Sequence, residues 1–588
     1  MKTKKQSEAN IFNRDPNAKS STRSAKKEKN SLFKNLVPVL YEDAHLLAVT
    51  KPAGIDTGDA REGKVDGLVE ILNNVLKQTL HASNRLSRYE SGILLLAKQR
   101  EVADRIRTEL RLGKVSIEYA AVVSGSMVKP KTIVGGTLPP VLGERKGSRR
   151  PRESKKRVRL EKPEPEGSKK KGFPTIITLT RHAEDRCLVR CETREENTHA
   201  LRARLRSAGL RLIGDALHDR PGRLVPARDT CLHLSKISLG HPAKGLAFSV
   251  RSEPPRAFGT ALFGKSEPDR ILQAALVRRL PCLLDSTSDS YRLLTGPFED
   301  FPGLVVEKYG PVLIFQVQDS AQVSSKTLSY IARWYLAAVD ARAVYVKNFV
   351  RDRGGVGPEL DAEMRSPEPL AGQAIDDAIT ILENGLRFVI HPYDGFNVGL
   401  FLDHRENRRR IRDMSKGLDV LNLFAYTCGF SVAAAVGGAA KTVSVDIAPK
   451  VLEWGKVNFE ANGFDPSTHE FIRADASEFL DRAAKKDRSF DVIVVDPPTF
   501  AHGRKSGKHF SIDKDLTRLL SQSLRVLRPG GTLLLSTNHR RLAHRALRQH
   551  LYEAAAGRRF EIIAAPKLPL DFAVDRDHAK TLIARFED

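Results

Sequence analysis

The sequence predicts a multidomain protein that ends in a Rossmann-like α/β domain, a mostly parallel, doubly wound sheet, with two α+β domains before it. Three observations carry this expectation. Between Asp419 and Asp496, apolar strand-like runs alternate with helical runs, as in a parallel sheet with crossover helices. Three of those runs finish in an acid (Asp446, Asp475 and Asp496), on the side of such a sheet where ligands sit. The chain has 588 residues and changes composition along its length, which suggests about three to four domains.

The elements follow in order. Residues 1–34 are lysine-rich and poor in large apolar groups, so a disordered basic tail is expected. The stretch Val37–Gly54 reads as a hairpin closed by the turn Lys51-Pro-Ala-Gly54. Asn84-Arg-Leu-Ser-Arg-Tyr-Glu-Ser-Gly92 leads into the apolar strand Ile93–Ala97, then a helix near Val102–Leu110 and the strand Ile117–Val123. An insertion at 140–172, rich in Lys, Arg, Glu, Pro and Gly, reads as a flexible loop able to touch phosphate. From Tyr291 the pattern becomes β-rich, with one helix at Thr327–Val339, and a hairpin is expected over Ile379–Pro392. These shifts place domains at 35–258, 265–375 and 376–588.

The last domain holds the chemistry. A strand, Asp419–Phe424, runs into the small-residue turn Ala425-Tyr-Thr-Cys-Gly429 and a helix, Phe430–Val436. Gly429 would let backbone approach a ligand. Asp446, ending the strand Lys441–Asp446, is placed to accept from two ribose hydroxyls, and Asp475, ending Phe471–Asp475, from an adenine amino group. A dinucleotide would call for a Gly-x-Gly-x-x-Gly turn. This turn has one glycine, so a phosphate-free adenosine ligand fits better, which suggests S-adenosylmethionine. Asp496-Pro-Pro-Thr-Phe500 would then face the transferred methyl group, with Phe500 either stacking on a base or packing in the core.

Charge and cysteine content narrow the partner and the compartment. A net charge of +26 and a pI near 9.8 imply an anionic partner, nucleic acid first. Five scattered cysteines argue for a reducing, cytoplasmic compartment, and Cys187 and Cys191 read as strand residues, not metal ligands. No run reaches membrane-spanning length, and Met1–Lys5 has no apolar signal core. No metal site is expected.

Gly399-Leu-Phe-Leu-Asp-His-Arg-Glu-Asn-Arg408, Asn422–Thr427, Val443–Asp446, Leu452-Glu-Trp454 and Asp496–Phe500 resemble class I methyltransferases of large-subunit ribosomal RNA. The likeness is to the RlmK/L-type half that makes 7-methylguanosine, whose tail is similar to Asp571-Phe-Ala-Val-Asp-Arg576. That resemblance implies a seven-stranded sheet and large-subunit rRNA or a pre-ribosome as partner. It gives a cofactor set of Phe424, Tyr426, Thr427, Gly429, Asp446 and Asp475, and a catalytic set of Asp496, Pro497, Pro498 and Phe500. Position 404 is assigned no role. Where the family carries Gly-Gly, this chain has Cys428-Gly429.

Over about Leu36–Phe258 the motif order resembles RluA-type pseudouridine synthases: Asn84–Ser87, Tyr119, Glu196-Asn-Thr-His-Ala-Leu-Arg202 and Cys231-Leu-His-Leu234. The family's nucleophilic aspartate is Ser87 here, and the arginine of its Gly-Arg-Thr-His motif is Asn197. A serine without a base is a poor nucleophile, so a degenerate, RNA-binding domain is expected. Two other readings remain: an enzyme that also isomerises uridine, and a ribosome assembly factor without catalysis. All cysteines precede Asp496, which disfavours cytosine carbon-5 chemistry; guanine N7 and an exocyclic amine both stay open on the residues, and the resemblance to the guanine-N7 enzyme implies N7.

Overall fold

The computed structural model describes residues 33–58, 67–127, 129–135, 173–215, 230–263, 268–299, 301–318, 323–349, 365–395, 397–498, 500–502, 509–539, 542–573 and 579–587. The expectations for the basic tail, for most of the insertion and for part of the linker before the last domain fall outside this set. Phe33 is already buried, so packing starts inside the stretch expected to be tail. The described residues form two compact units, 33–58 with 68–273, and 274 onward.

The first unit is built on a mixed sheet. Its main path runs Val39–Glu42, Leu46–Lys51, Ser91–Ala97, Leu232–Gly240, Ser116–Ser124, Arg186–Thr193, Thr175–Ala183 and Lys131–Val134. Ser91–Ala97 is buried at every position, as its unbroken apolar run demands. A Cβ on Gly92 would lie 2.4 Å from the backbone of Leu234, so only glycine permits this close strand pairing. Cys187 and Cys191 are indeed buried strand residues. Helices Arg100–Arg111 and Thr198–Ser207 supply Ile106, Leu110, Leu201 and Leu205 to the core.

The second unit, from 274 onward, takes in the stretch expected as the last domain and all but the start of the one before it, whose residues 268–273 fall in the first unit. Five strands, Ser290–Thr295, Leu304–Tyr309, Val312–Gln318, Ala343–Phe349 and Ala371–Gly372, make a sheet in that order. Helix Ser325–Ala338 is the crossover between its one parallel pair. The hairpin Ile379–Glu383/Leu386–Ile390 follows, as expected.

The large sheet runs Glu470–Arg473, Lys441–Asp446, Asp419–Leu423, Phe490–Val495, Leu527–Thr537, Lys580–Phe586, Phe560–Ala564. The first five strands are mutually parallel, and Lys580–Phe586 is antiparallel to both Leu527–Thr537 and Phe560–Ala564. The chain thus reverses its strand order beside Asp419–Leu423, where a crevice opens at the carboxyl ends.

The small sheet and the last domain share one apolar cluster, in which Tyr309, Ile314 and Tyr345 pack with Ile381, Phe388, Val432 and Phe459. Buried ion pairs tie the hairpin and the tail motif to the helix Arg405–Met414: Arg408 takes Glu383 in a fork at 2.6 and 2.7 Å, and Arg405 pairs with Asp571. Removing one partner of such a pair typically costs about 3–5 kcal/mol, because the other charge is stranded. Asp571 also accepts from Arg292 N at 2.8 Å, so the tail motif is a clip between sheet and helix. Val574–His578, with the rest of that motif, lies outside the described residues.

Candidate methyl-transfer cleft

The turn after Asp419–Leu423 is unusual in its backbone. Phe424, Tyr426 and Cys428 have φ of 55°, 48° and 61°, left-handed values at three non-glycine residues. Each costs of order 1–3 kcal/mol unless its surroundings impose it. Here they do. Ala425 N donates to Val445 O at 3.0 Å, Tyr426 N to Asp446 Oδ2 at 2.9 Å, and Asn458 Nδ2 to Thr427 O at 2.9 Å. The Thr427 hydroxyl donates to Gly399 O at 2.6 Å, so that side chain is buried as a brace.

The departure from the family's Gly-Gly pair has a structural meaning. Cys428 carries the left-handed conformation, while Gly429 is already the first residue of the helix Gly429–Val436. Cys428 is fully buried, and a Cβ on Gly455 would lie 2.3 Å from its Sγ. The extra side chain at 428 therefore fits because position 455 has none.

These residues border a cleft of about 320 Å³, a size suited to a small ligand. Phe424, Tyr426, Thr427, Gly429, Asp446 and Asp475 line it, and Asp496, Pro497 and Pro498 line it as well. Every cofactor-set residue and three of the four catalytic-set residues thus meet in one space. Phe500 begins a short hairpin, Phe500–His502 with His509–Ser511, and its side chain lies outside the described set.

Asp446 ends its strand as expected, whereas Asp475 departs from the sequence expectation. Asp475 does not end a strand: the strand stops at Arg473, and Asp475 is the N-cap of helix Ala476–Lys485, accepting from Glu478 N at 3.1 Å through Oδ1. A strand-like run and an N-cap acid read alike when only a short apolar stretch precedes them. The carboxylate remains exposed on the cleft. Asp446 uses one oxygen for Tyr426 N and the other for Ala448 N at 2.9 Å. Each carboxylate oxygen has a second lone pair, so both acids retain acceptor capacity toward a ligand.

The sequence reading gave position 404 no part, and it missed His404. This buried imidazole lies on the cleft, with Nε2 3.1 Å from Asp496 Oδ2. Burial alone would push it down; the Asp496 charge, helped by Asp403 and the Asp496 hydrogen bond, outweighs burial and raises it to about 9. The only sequence signal was its place inside Gly399–Arg408. Phe401, 45% exposed, adds an aromatic face at the cleft, its ring 5.3 Å from that of Tyr426.

Residues 331–579 match the family model described as S-adenosylmethionine-dependent methyltransferase. The second unit carries an S-adenosylmethionine-dependent methyltransferase domain. Residues 45–207 match the RNA pseudouridylate synthase model. The chain is 38% identical over 358 residues to the ribosomal RNA large subunit methyltransferase K/L of Chromohalobacter salexigens, covering 60% of this chain and 45% of that protein. It is 40% identical over 169 residues to the ribosomal RNA large subunit methyltransferase K of Neisseria meningitidis, 29% of this chain and 48% of that one. The chain thus spans less than half the length of these relatives. Among solved structures, a methyltransferase complexed with SAH aligns over 58% of this chain and 85% of its own, 26% identical, TM-score 0.47.

In the synthase-like unit, the motif residues are held by the fold. Ser87 N donates to Glu90 Oε2 at 2.8 Å, and no described side chain bonds the exposed Ser87 hydroxyl. Asn197 caps helix Thr198–Ser207, accepting from His199 N and Ala200 N. Arg202, buried, joins Glu90 at 2.7 Å and Asp215 at 2.9 Å. Tyr119 is buried, its hydroxyl 3.4 Å from Glu196 O, and burial lifts its pKa well above the usual phenol value. No metal-ligating cluster occurs among the described residues, and no described helix is long and apolar enough to cross a membrane.

Proposed function

We propose that the protein methylates guanine N7 in large-subunit rRNA, free or in a pre-ribosome, and that its first unit binds RNA without isomerising uridine. The observation that carries this is the meeting of Asp446, Asp475 and Asp496-Pro-Pro498 on one cleft beyond the carboxyl ends of the parallel strands. The relatives' printed names supply the class of RNA.

The donor set fits adenosine. Asp446 would accept from the ribose hydroxyls and Asp475 from the adenine amino group, while Phe424 and Tyr426 would border the apolar parts. Gly429 opens the helix beside them. Bound S-adenosylmethionine supplies an electrophilic methyl group on sulfur. Asp496, with Pro497 and Pro498, would then hold an N–H edge of the target base, and Phe500 is assigned to stack on it. The N7 lone pair needs no general base, so alignment supplies much of the rate. Carbon-5 attack would need a thiolate, yet the nearest cysteine, Cys428, is buried and pushed up to about 12.

The limits 265–375 and 376–588 are kept as functional halves, the first of them beginning a few residues before the second compact unit does, and the free cysteines fit a cytoplasmic setting. The test is methyl transfer to rRNA from cells lacking the protein, followed by borohydride and aniline. Cleavage at one guanosine is expected. Incorporated label without cleavage would move the product to another atom, and tritium release from 5-tritiated uridine would restore isomerase activity to the first unit.

A further inference from the structure

We propose that His404 is a positioning residue for methyl transfer, fixing the Asp496 carboxylate toward the target base through a buried hydrogen-bonded chain. This rests on reading the cleft as the methyl-transfer site. His404 Nε2 meets Asp496 Oδ2 at 3.1 Å. On the other side of the ring, the Asn407 amide lies 3.1 Å from Nδ1 and 2.8 Å from Thr581 Oγ1, which in turn is 3.1 Å from Ser536 Oγ. All four residues behind Asp496 are buried, and Thr581 and Ser536 pair across two neighbouring antiparallel strands of the large sheet. The carboxylate on the cleft is therefore tied to the buried interior of the large sheet. Packing of the ring edge-on to Phe430, centroids 5.5 Å apart, fixes its plane.

The charged groups facing the ring are Asp496, Asp403 and Arg408. The two acids outweigh the arginine and burial, so the ring carries both protons at neutral pH and cannot act as a base there. In the structure the Asn407 amide nitrogen faces Nδ1 and donates to Thr581 Oγ1; with both ring nitrogens donating, that amide turns over, so that its oxygen accepts from Nδ1–H and from the Thr581 hydroxyl. An imidazolium holds a carboxylate more firmly than a neutral ring, because a charge-assisted bond is about twice as strong. Loss of that proton should loosen Asp496 without emptying the site.

The experiment uses the full chain, rRNA from cells lacking it, and labelled S-adenosylmethionine, from pH 7 to 10. Wild-type kcat is expected to step down through about 9, the value at which His404 loses its proton. His404→Gln keeps an N–H for Asp496 but cannot titrate, so it should sit on the lower plateau at every pH with no step. A step belonging to the guanine itself would persist in that variant. His404→Ala should lower kcat roughly tenfold or more, with cofactor Kd and KM for RNA within threefold of wild type. If His404→Ala does not fold, His404→Gln carries the test through its flat profile. Wild-type activity in His404→Gln at pH 7.5, or a retained step, would overturn the proposal. A wild-type protein that transfers no methyl to this RNA would overturn the underlying reading as well, and would show it before any variant is compared.

Discussion

The two units treat their motif residues in opposite ways. In the second, Asp446, Asp475 and Asp496 each make a structural bond and still face open space. In the first, Ser87 gives its N–H to Glu90, Asn197 caps a helix, and Arg202 is neutralised by Glu90 and Asp215. The contrast extends to two buried histidines. His404 is raised by a carboxylate, whereas burial depresses His233 to about 4, with Ser91 and Ser252 around it.

The largest effect expected is on the cofactor. Asp446→Ala removes the proposed ribose acceptor and frees Tyr426 N and Ala448 N. We expect S-adenosylmethionine binding to fall below detection by calorimetry, with RNA binding unchanged; a Kd within threefold of wild type would erase the distinction between the units. Asp496→Asn should lower kcat by roughly a hundredfold while leaving cofactor Kd within a few fold. An equal loss in both would return Asp496 to a purely structural role.

The histidines predict opposite pH responses. His233 is neutral when folded, and its folded value of about 4 lies below the unfolded 6.5. The unfolded chain therefore binds the proton first, and the first unit loses stability as pH falls from about 6.5 toward 4, by up to about 3 kcal/mol. His404 has a folded value of about 9, above 6.5, so its contribution is complete below 6.5 and vanishes as pH rises through 9. Hydrogen exchange at pH 5, 7 and 9.5 should show the first unit opening in acid and the second in base. A parallel response in both units would defeat the pairing.

Smaller effects sharpen the same comparison. Gly455→Ala should cost about 1–3 kcal/mol by overpacking against Cys428 Sγ, and Cys428→Gly in the same chain should recover most of it. Additive losses in thermal melts would show that the two positions are uncoupled. Ser87→Ala should change neither RNA affinity nor tritium release, since no described side chain engages its hydroxyl. Any release abolished by this variant would reverse the account of the first unit.

Much of this was legible in the chain itself. The alternation of strands and helices and the strand-end place of Asp446 are local patterns, and the backbone's short-range preferences write them directly; the weight of the Asp496-Pro-Pro498 segment and of Ser87 and Asn197 came from family resemblance. Asp475 was misplaced because an N-cap acid and a strand-end acid share the same sequence context. What the sequence could not contain were pairings between distant segments. The fold alone brought His404 to Asp496, set Gly455 opposite Cys428, and made Asp571 a clip for Arg292 and Arg405. It also merged the small sheet with the last domain, because one apolar cluster crosses between them. Local propensity sets elements one at a time, whereas these contacts exist only once burial has forced the elements together.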